Sequence, residues 1–484
     1  MKRIHTLSGE KKQFTYFLMA AFLPYLLYGF RYFPILDDYI QYWGYPAHND
    51  FSHIYLTIGT LSTRPLASLL DVAFWGQLWP NMWIPLILIT LLHFASAYLF
   101  YKSAESFEVK LSPLFFLIYL LFPLGMEGRY WISASSRIIC GLFFAALSLW
   151  FLSRYLYKKQ SLKFFLFFSF FQLISCGFYE SVSVFSVSAA VLLFLFAYPK
   201  QRRKAMFFVL LASVFNIGLM FGYYKLFSGL SSLGDRATNL QISMLPKNLL
   251  EVLRQLCEVF SNLYESIILG SLNGIRILWE NGFWGILIFC LIILLSVFLS
   301  QAPKENWHKK ARLCSFFGGL ILFVAPLVPN ALTEDVWLTN RSIFPSLIGL
   351  ALMAEPLFSL MKNSVLKRAL LFAFAFFFLT ANVNEYDTYR RVYEQDQKLL
   401  TQIASQLDQE VLSGNRPVCV LLKDEVTVPQ TAFYKDHVKS VFDSDWALLG
   451  ALREKTGSLK IKYAQPLFPE QAPVYKNSQI IEIQ

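Results

Sequence analysis

The chain has 484 residues, of which 56% are hydrophobic and only 15% charged, with a formal net charge of +11. Charge this sparse, set between apolar runs this long, excludes a soluble globular protein and fits a multi-span membrane protein. The basic excess lies mostly in short blocks between apolar runs, which points to membrane topology and anionic lipid and away from nucleic acid. The 48 phenylalanines suit lipid-facing helices. The six cysteines, at 140, 176, 257, 290, 314 and 419, show no CxxC or zinc spacing and read as ordinary core residues.

The basic start MKRIHTLSGEKK precedes a first apolar segment at 14–32. It lacks a small-residue cleavage site and is expected to stay as an anchor. Directly after it comes FPILDDYIQYWGYPAHN, residues 33–49, with Asp37 and Asp38 adjacent among aromatics. Arg64-Pro65 then opens a segment at 66–80 that reads as a surface helix. Apolar segments follow at 83–101 and 111–124, then Glu127, Arg129 and Arg137 around YWISASS. The next segments are 138–153, 164–177, 181–198 and 205–226, with Glu180 in CGFYESVS between two of them. The run 164–198 is either one kinked pass or a tight hairpin at Cys176–Ser181.

Residues 247–269 place apolar side chains at 249, 252, 253, 256, 259, 260, 263 and 267. That helical spacing, with charges interspersed, predicts a helix lying on the membrane surface. Further segments lie at 282–300, 313–328, 342–361 and 366–381, with Glu334, Asp335 and Arg341 before the third of these. The fold class expected is an all-α polytopic membrane protein of about eleven transmembrane helices. The tail 382–484 changes character: an exposed helix over 384–412, a buried strand at 417–422, a helix at 444–456 and a strand at 459–463. The division expected is a transmembrane domain over 1–381 and a soluble α/β domain over 382–484.

A cytoplasmic N-terminus and alternating sides put the lysine- and arginine-rich loops inside throughout, provided 164–198 is a hairpin. The tail is then extracytoplasmic. In that arrangement Asp37, Asp38, Arg64, Glu127, Arg129, Arg137, Glu180, Glu334, Asp335 and Arg341 all fall on the outer side. Such one-sided clustering of polar groups suggests a single outward-facing site.

Asp37 and Asp38 are the leading candidates for chemistry. A carboxylate at a membrane boundary has the raised pKa a general base needs, and two carboxylates also suit a shared divalent cation, Mg or Mn. The plain alternative is an exposed acidic turn. Arginines at the outer ends of spans fork onto phosphate, or simply snorkel to lipid headgroups. Glu180 is either a solvated turn residue or a buried carboxylate paired with an outer arginine. Glu334-Asp335 reads first as a helix N-terminal charge pair. His48 and His53 are too few for a zinc site. Tyr39, Tyr42, Trp43 and Tyr45 read as an interfacial aromatic belt before a sugar platform.

The basic N-terminus, single span and Asp-Asp pair in the first outer loop resemble the GT-C class of membrane glycosyltransferases. More closely, LDDYIQY, TRPL, YES and the outward soluble tail resemble the bacterial polyprenyl-phosphate-sugar-dependent glucosyltransferases that decorate O-antigen and wall polymers. The likeness covers residues 1–381. It implies transfer of a hexose or N-acetylhexosamine from a polyprenyl-phosphate-linked donor to a hydroxyl of a cell-surface glycan, at the outer face of the cell membrane. It implies Asp37 or Asp38 as general base, with Asp37 favoured by analogy, and Arg64, Arg129, Arg137 or Arg341 on the lipid phosphate. Glu180 joins these as a substrate-side candidate, although the family offers no match for Glu127, Glu180, Glu334 or Asp335. Relatives in the class differ in metal use, so a cation is left open. The competing readings are a lipid-linked glycan flippase or transporter, a glycan polymerase, and a scaffold that recruits wall machinery. Few mid-span charges and no matched halves count against transport.

Overall fold

The computed structural model describes residues 2–40, 64–106, 109, 111–157, 161–196, 203–227, 242–301, 309–333, 336–423, 438–468, 471 and 477–483. Among the described residues the chain is mostly helical, with one small sheet. Among the described residues, six helices are long and apolar enough to cross a membrane: Trp83–Ser106, Ile132–Tyr157, Phe207–Phe227, Gly282–Leu299, Lys309–Ala331 and Ser364–Ala404. Leu162–Cys176, Glu180–Leu193 and Ser346–Ser359 are shorter apolar helices.

Helix α1 (Lys2–Phe22) continues as a tighter 3₁₀ turn through Tyr28, and Gly29 ends it in the left-handed conformation. A short helix α2 (Pro65–Leu70) leads through wider and then tighter turns to Asn81, so the expected surface segment is helical but changes its winding. Helix α3 (Trp83–Ser106) is followed by α4 (Pro113–Phe116), which continues in π-type winding to Leu121. Pro113 starts that segment and Pro123 stops it, leaving a length of ~14 Å, about half a hydrocarbon core. Helix α5 (Met126–Tyr130) then turns into the long α6 (Ile132–Tyr157).

Helices α7 (Leu162–Cys176) and α8 (Glu180–Phe196) are separated by Gly177–Tyr179. Ser183 Oγ donates back to the Cys176 carbonyl at 3.0 Å. Seven residues of continuous helix would separate those groups by ~10 Å, so the chain folds back here. This is the hairpin form of the two sequence alternatives. The Leu66 amide donates to the Gly177 carbonyl at 3.1 Å, and a Cβ on Gly177 would stand 2.8 Å from Leu66. The start of α2 therefore sits on the hairpin tip, and only glycine leaves room for it.

After α9 (Arg203–Phe227), α10 (Leu245–Ser261) buries Asn248, Val252, Leu256 and Val259 while Leu249 and Leu253 stay exposed. The amphipathic helix expected at 247–269 is thus present but ends at Ser261, and Glu265–Leu269 follows as a separate π-type turn. Helix α11 (Gly270–Glu280) lies against α15 (Ser364–Ala404) through Gly270, Ser271 and Gly274, with Ser271 Oγ 2.6 Å from Thr380 Oγ1. Helices α12 (Gly282–Leu299), α13 (Lys309–Val324) and α14 (Ser346–Ser359) lie between them in sequence. Helix α15 has 41 residues and runs unbroken through residue 382. The exposed helix expected over 384–412 is instead its second half, which ends at Ala404 and buries Tyr386, Tyr389, Val392, Leu400 and Ile403.

The tail holds a parallel sheet in the order β2 (Ala464–Leu467), β1 (Val418–Leu422), β3 (Gln479–Ile483), with α16 (Asp445–Thr456) connecting β1 to β2. The second strand starts at 464, after the stretch 459–463 expected from sequence. Gly457 caps α16 in the left-handed conformation and the chain needs the following residues to turn back. Pro466 is tolerated because β2 is an edge strand. Two cores result. The larger fills the helical bundle, and the smaller fills the tail and includes Tyr39 from the acidic loop.

Candidate functional site

The acidic loop leaves α1 as Arg31–Ile40 and crosses the start of α6. Its centre is a turn in which the Asp38 amide donates to the Ile35 carbonyl at 2.9 Å, while the Ile35 amide donates to Asp38 Oδ2 at 3.1 Å. The turn holds Leu36 at a φ of 38°, a strained left-handed conformation for a leucine. The strain persists because Leu36 packs against both cores.

Asp38 is fully buried. Tyr32 donates its hydroxyl to Oδ2 at 2.7 Å, and the Ser133 amide donates to Oδ1 at 3.0 Å. The Ile132 amide donates to Tyr32 Oη at 2.8 Å. Asp38 and Tyr32 together thus satisfy two of the amides that the first turn of α6 leaves open, where the helix dipole also favours negative charge. Burial pushes the Asp38 carboxyl up to about 7, against the hydrogen bonds from Tyr32, Ile35 and Ser133 that favour its charged form. Asp37 is different. It is partly exposed and accepts from Trp446 Nε1 in α16 at 3.1 Å. Adjacent in sequence, the two carboxylates part company: Asp38 faces the bundle and Asp37 faces the tail.

The same helix start gathers a second layer. Asp71 is fully buried, accepts from Ser136 Oγ at 3.2 Å and pairs with Arg137 at 3.4 Å. Burial pushes its carboxyl up to about 6, with Arg137, Ser136 and Arg64 opposing. Arg64 forks onto Glu180, with Nε 3.0 Å from Oε1 and Nη2 3.0 Å from Oε2, and lies 4.3 Å from the Tyr179 ring centre. Glu180 thus has the arginine partner that the sequence left open. On the other flank, Arg341 pairs with the buried Glu127 at 3.5 Å, gives its amide to the same carboxylate at 3.0 Å and lies 4.9 Å from the Trp131 ring centre. Arg137 and Arg341 keep 15% and 23% of their side chains exposed, so both still reach outward.

Arg129 does not belong to this group. Its guanidinium is buried and donates to the Leu120 carbonyl and to Asn382 Oδ1. Asn382 in turn donates to the Leu121 carbonyl at 2.8 Å. The π-wound segment ends at Leu121 with open carbonyls, and Arg129 and Asn382 fill them. A phosphate-facing role expected for Arg129 gives way to this internal clamp. Tyr39 is likewise no belt residue. It is buried in the tail core, accepts from Gln397 Nε2 at 3.2 Å and packs 5.5 Å from the Trp79 ring centre. Tyr42, Trp43, Tyr45, His48, His53, Glu334 and Asp335 lie outside the described residues.

A divalent ion shared by Asp37 and Asp38 does not fit this arrangement. Both Asp38 oxygens are taken by N–H and O–H donors, and Asp37 turns the other way. Among the described residues no group of three or more His, Cys, Asp or Glu side chains comes together to hold a metal.

Sequence reasoning passed over Asp71, Tyr32 and Trp446. Asp71 carried a readable signal, a lone acid in the otherwise apolar run following Arg64-Pro65. Trp446 carried none, because its relation to Asp37 exists only through the fold. Comparison of the chain with protein-family models finds no match, and comparison with curated proteins finds none either.

Proposed function

We propose that the chain is a polytopic membrane glycosyltransferase that moves a sugar from a polyprenyl-phosphate donor to a hydroxyl of a cell-surface glycan or wall polymer. In this reading the N-terminus is cytoplasmic, the chain crosses the membrane about eleven times with its short segments accommodated by tilt or local thinning, and the tail is extracytoplasmic. The transmembrane unit is 1–381 and the soluble unit is 382–484. The observation that carries the reading is Asp37, a partly exposed carboxylate on a turn that Asp38 fastens to the start of α6. Arg137 and Arg341 flank the same helix start.

Asp37 is the general base. It takes the proton of the acceptor hydroxyl as that oxygen attacks the anomeric carbon. The bond from the anomeric carbon to the phosphate oxygen breaks, and polyprenyl phosphate leaves with the bonding electron pair. Arg341 and Arg137 stabilise the charge that develops there. Asp38 is a positioning residue, since it is buried and committed to protein donors.

The test uses the full chain in lipid vesicles, with radiolabelled polyprenyl-phosphate hexose or N-acetylhexosamine and polysaccharide extracted from cells lacking the gene. Label appearing on the polysaccharide, and lost with Asp37→Asn, supports the reading. Full transfer by the double variant Asp37→Asn, Asp38→Asn, or movement of the labelled lipid across the vesicle without transfer, would overturn it.

A further inference from the structure

The tail approaches the acidic loop with one residue whose placement the fold itself does not require. The junction is already fastened elsewhere. Tyr39 is inserted in the tail core, and a Cβ on Gly450 would stand 2.7 Å from the Tyr39 carbonyl oxygen, so α16 meets the loop backbone to backbone. Asp396, buried on α15, accepts from Ser440 Oγ at 2.5 Å and from the Val441 amide at 3.0 Å, tying that helix to the tail. Trp446 adds little to this packing, because 48% of it remains exposed. Its neighbours Ala447, Leu448, Gly450 and Ala451 supply the buried side of α16. Among the described residues no other aromatic ring stacks on the indole and no cation covers it. Its Nε1 edge is held against Asp37 Oδ1 at 3.1 Å.

We propose that Trp446 is the platform of an acceptor subsite, on which a pyranose ring of the acceptor glycan lies with one hydroxyl directed at Asp37. The inference rests on the glycosyltransferase reading and assigns its acceptor side to the tail. An indole face carries partial negative charge and attracts the C–H face of a sugar ring, while the ring hydroxyls need acceptors at its rim. An open indole whose edge touches a carboxylate supplies both. The hydrogen bond also fixes the ring plane relative to Asp37, so a sugar resting on the ring presents its hydroxyl to the carboxylate without further ordering of the side chain.

Two substitutions separate a platform from a simple latch on Asp37. Trp446→Phe keeps an aromatic face and loses the N–H. Trp446→Gln keeps an N–H donor and loses the face. The full chain in vesicles is assayed with labelled polyprenyl-phosphate hexose and the same extracted polysaccharide, and KM is measured separately for each substrate. The platform predicts that Trp446→Gln raises the polysaccharide KM about 10-fold, as expected for loss of a central aromatic contact, with the donor KM within twofold of the parent. Trp446→Phe keeps both KM values within threefold of the parent, because the aromatic face remains, while kcat falls because the ring plane is no longer fixed against Asp37. Equal polysaccharide KM values for the two variants, or a higher one in Trp446→Phe, would overturn the platform. Failure of the unmodified chain to transfer label at all would instead overturn the glycosyltransferase reading beneath it.

Discussion

Two buried carboxylates, Asp38 and Glu355, perform the same task at the starts of two different helical segments. Each is fully buried. Asp38 receives Tyr32, Ile35 and Ser133, while Glu355 Oε1 receives the Ser112 amide at 2.9 Å, the Ser112 hydroxyl at 2.8 Å and the Phe115 amide at 3.0 Å. Burial of an acid in an apolar bundle is thus not in itself a mark of chemistry. What sets the Asp38 end apart is its company: an accessible carboxylate one residue away, and arginines that keep part of their surface outward. Around Glu355 the acceptor is matched by backbone and hydroxyl donors.

Substitutions divide the two cases, and the largest effect falls on neither of them. Asp37→Asn is expected to lower label transfer by about 100- to 1,000-fold with thermal unfolding in detergent unchanged, because it removes a base and no buried contact. An active Asp37→Asn chain would move the base elsewhere. Asp38→Ala and Glu355→Ala should each lose about 2–4 kcal/mol of stability, since each leaves several buried donors unpaired. Thermal melts of the two variants should fall together. Activity per folded molecule should drop only for Asp38→Ala, in which the Asp37 turn loses its fastening. Arg341→Lys keeps the charge but gives up the planar fork, and about a 10-fold loss of kcat/KM for the lipid donor is expected. An unchanged value would remove Arg341 from the phosphate.

The pH dependence of stability follows from Asp38 and Asp71. Burial raises both carboxyls, to about 7 and about 6, above their ordinary 3.8. The folded chain therefore holds their protons more tightly than the unfolded chain does. Their stabilising contribution is complete below the ordinary value and is lost as pH rises through 6 and then 7. Melting temperature in detergent should fall between about pH 4 and pH 7, and Asp38→Asn should flatten the upper part of that fall. The smallest effect is expected from Arg64→Ala. Its pair with the half-exposed Glu180 is worth less than about 1 kcal/mol, and the hairpin should survive.

The apolar segments were legible because helical burial in a bilayer needs only composition and length; every segment expected from 83 onward meets a helix, but among the described residues only six of the eleven expected spans are long and apolar enough to cross a membrane. The amphipathic α10 was legible from its spacing, with Val252, Leu256 and Val259 turned inward, although Leu249 and Leu253 of the same pattern stay exposed. Which acid is accessible was not legible. Asp37 and Asp38 are chemically identical neighbours, and only the crossing of the loop over Ser133 distinguishes them. Arg129 failed for a related reason. An arginine at the end of a span reads as outward until the π-wound turn is seen to leave the Leu120 carbonyl open beneath it. The second strand slipped to Ala464–Leu467 because the turn after Gly457 uses residues whose composition resembles a strand.

The unbroken α15 has a mechanical consequence. At 1.5 Å per residue its 41 residues extend ~60 Å, about twice a hydrocarbon core. The half beyond the apolar stretch is therefore a rigid mast, which in the proposed reading would hold the reaction at a set height over the lipid headgroups. In that reading an acceptor polymer would reach that height by its own flexibility, because the unbroken Ser364–Ala404 helix gives the tail no hinge on which to swing out.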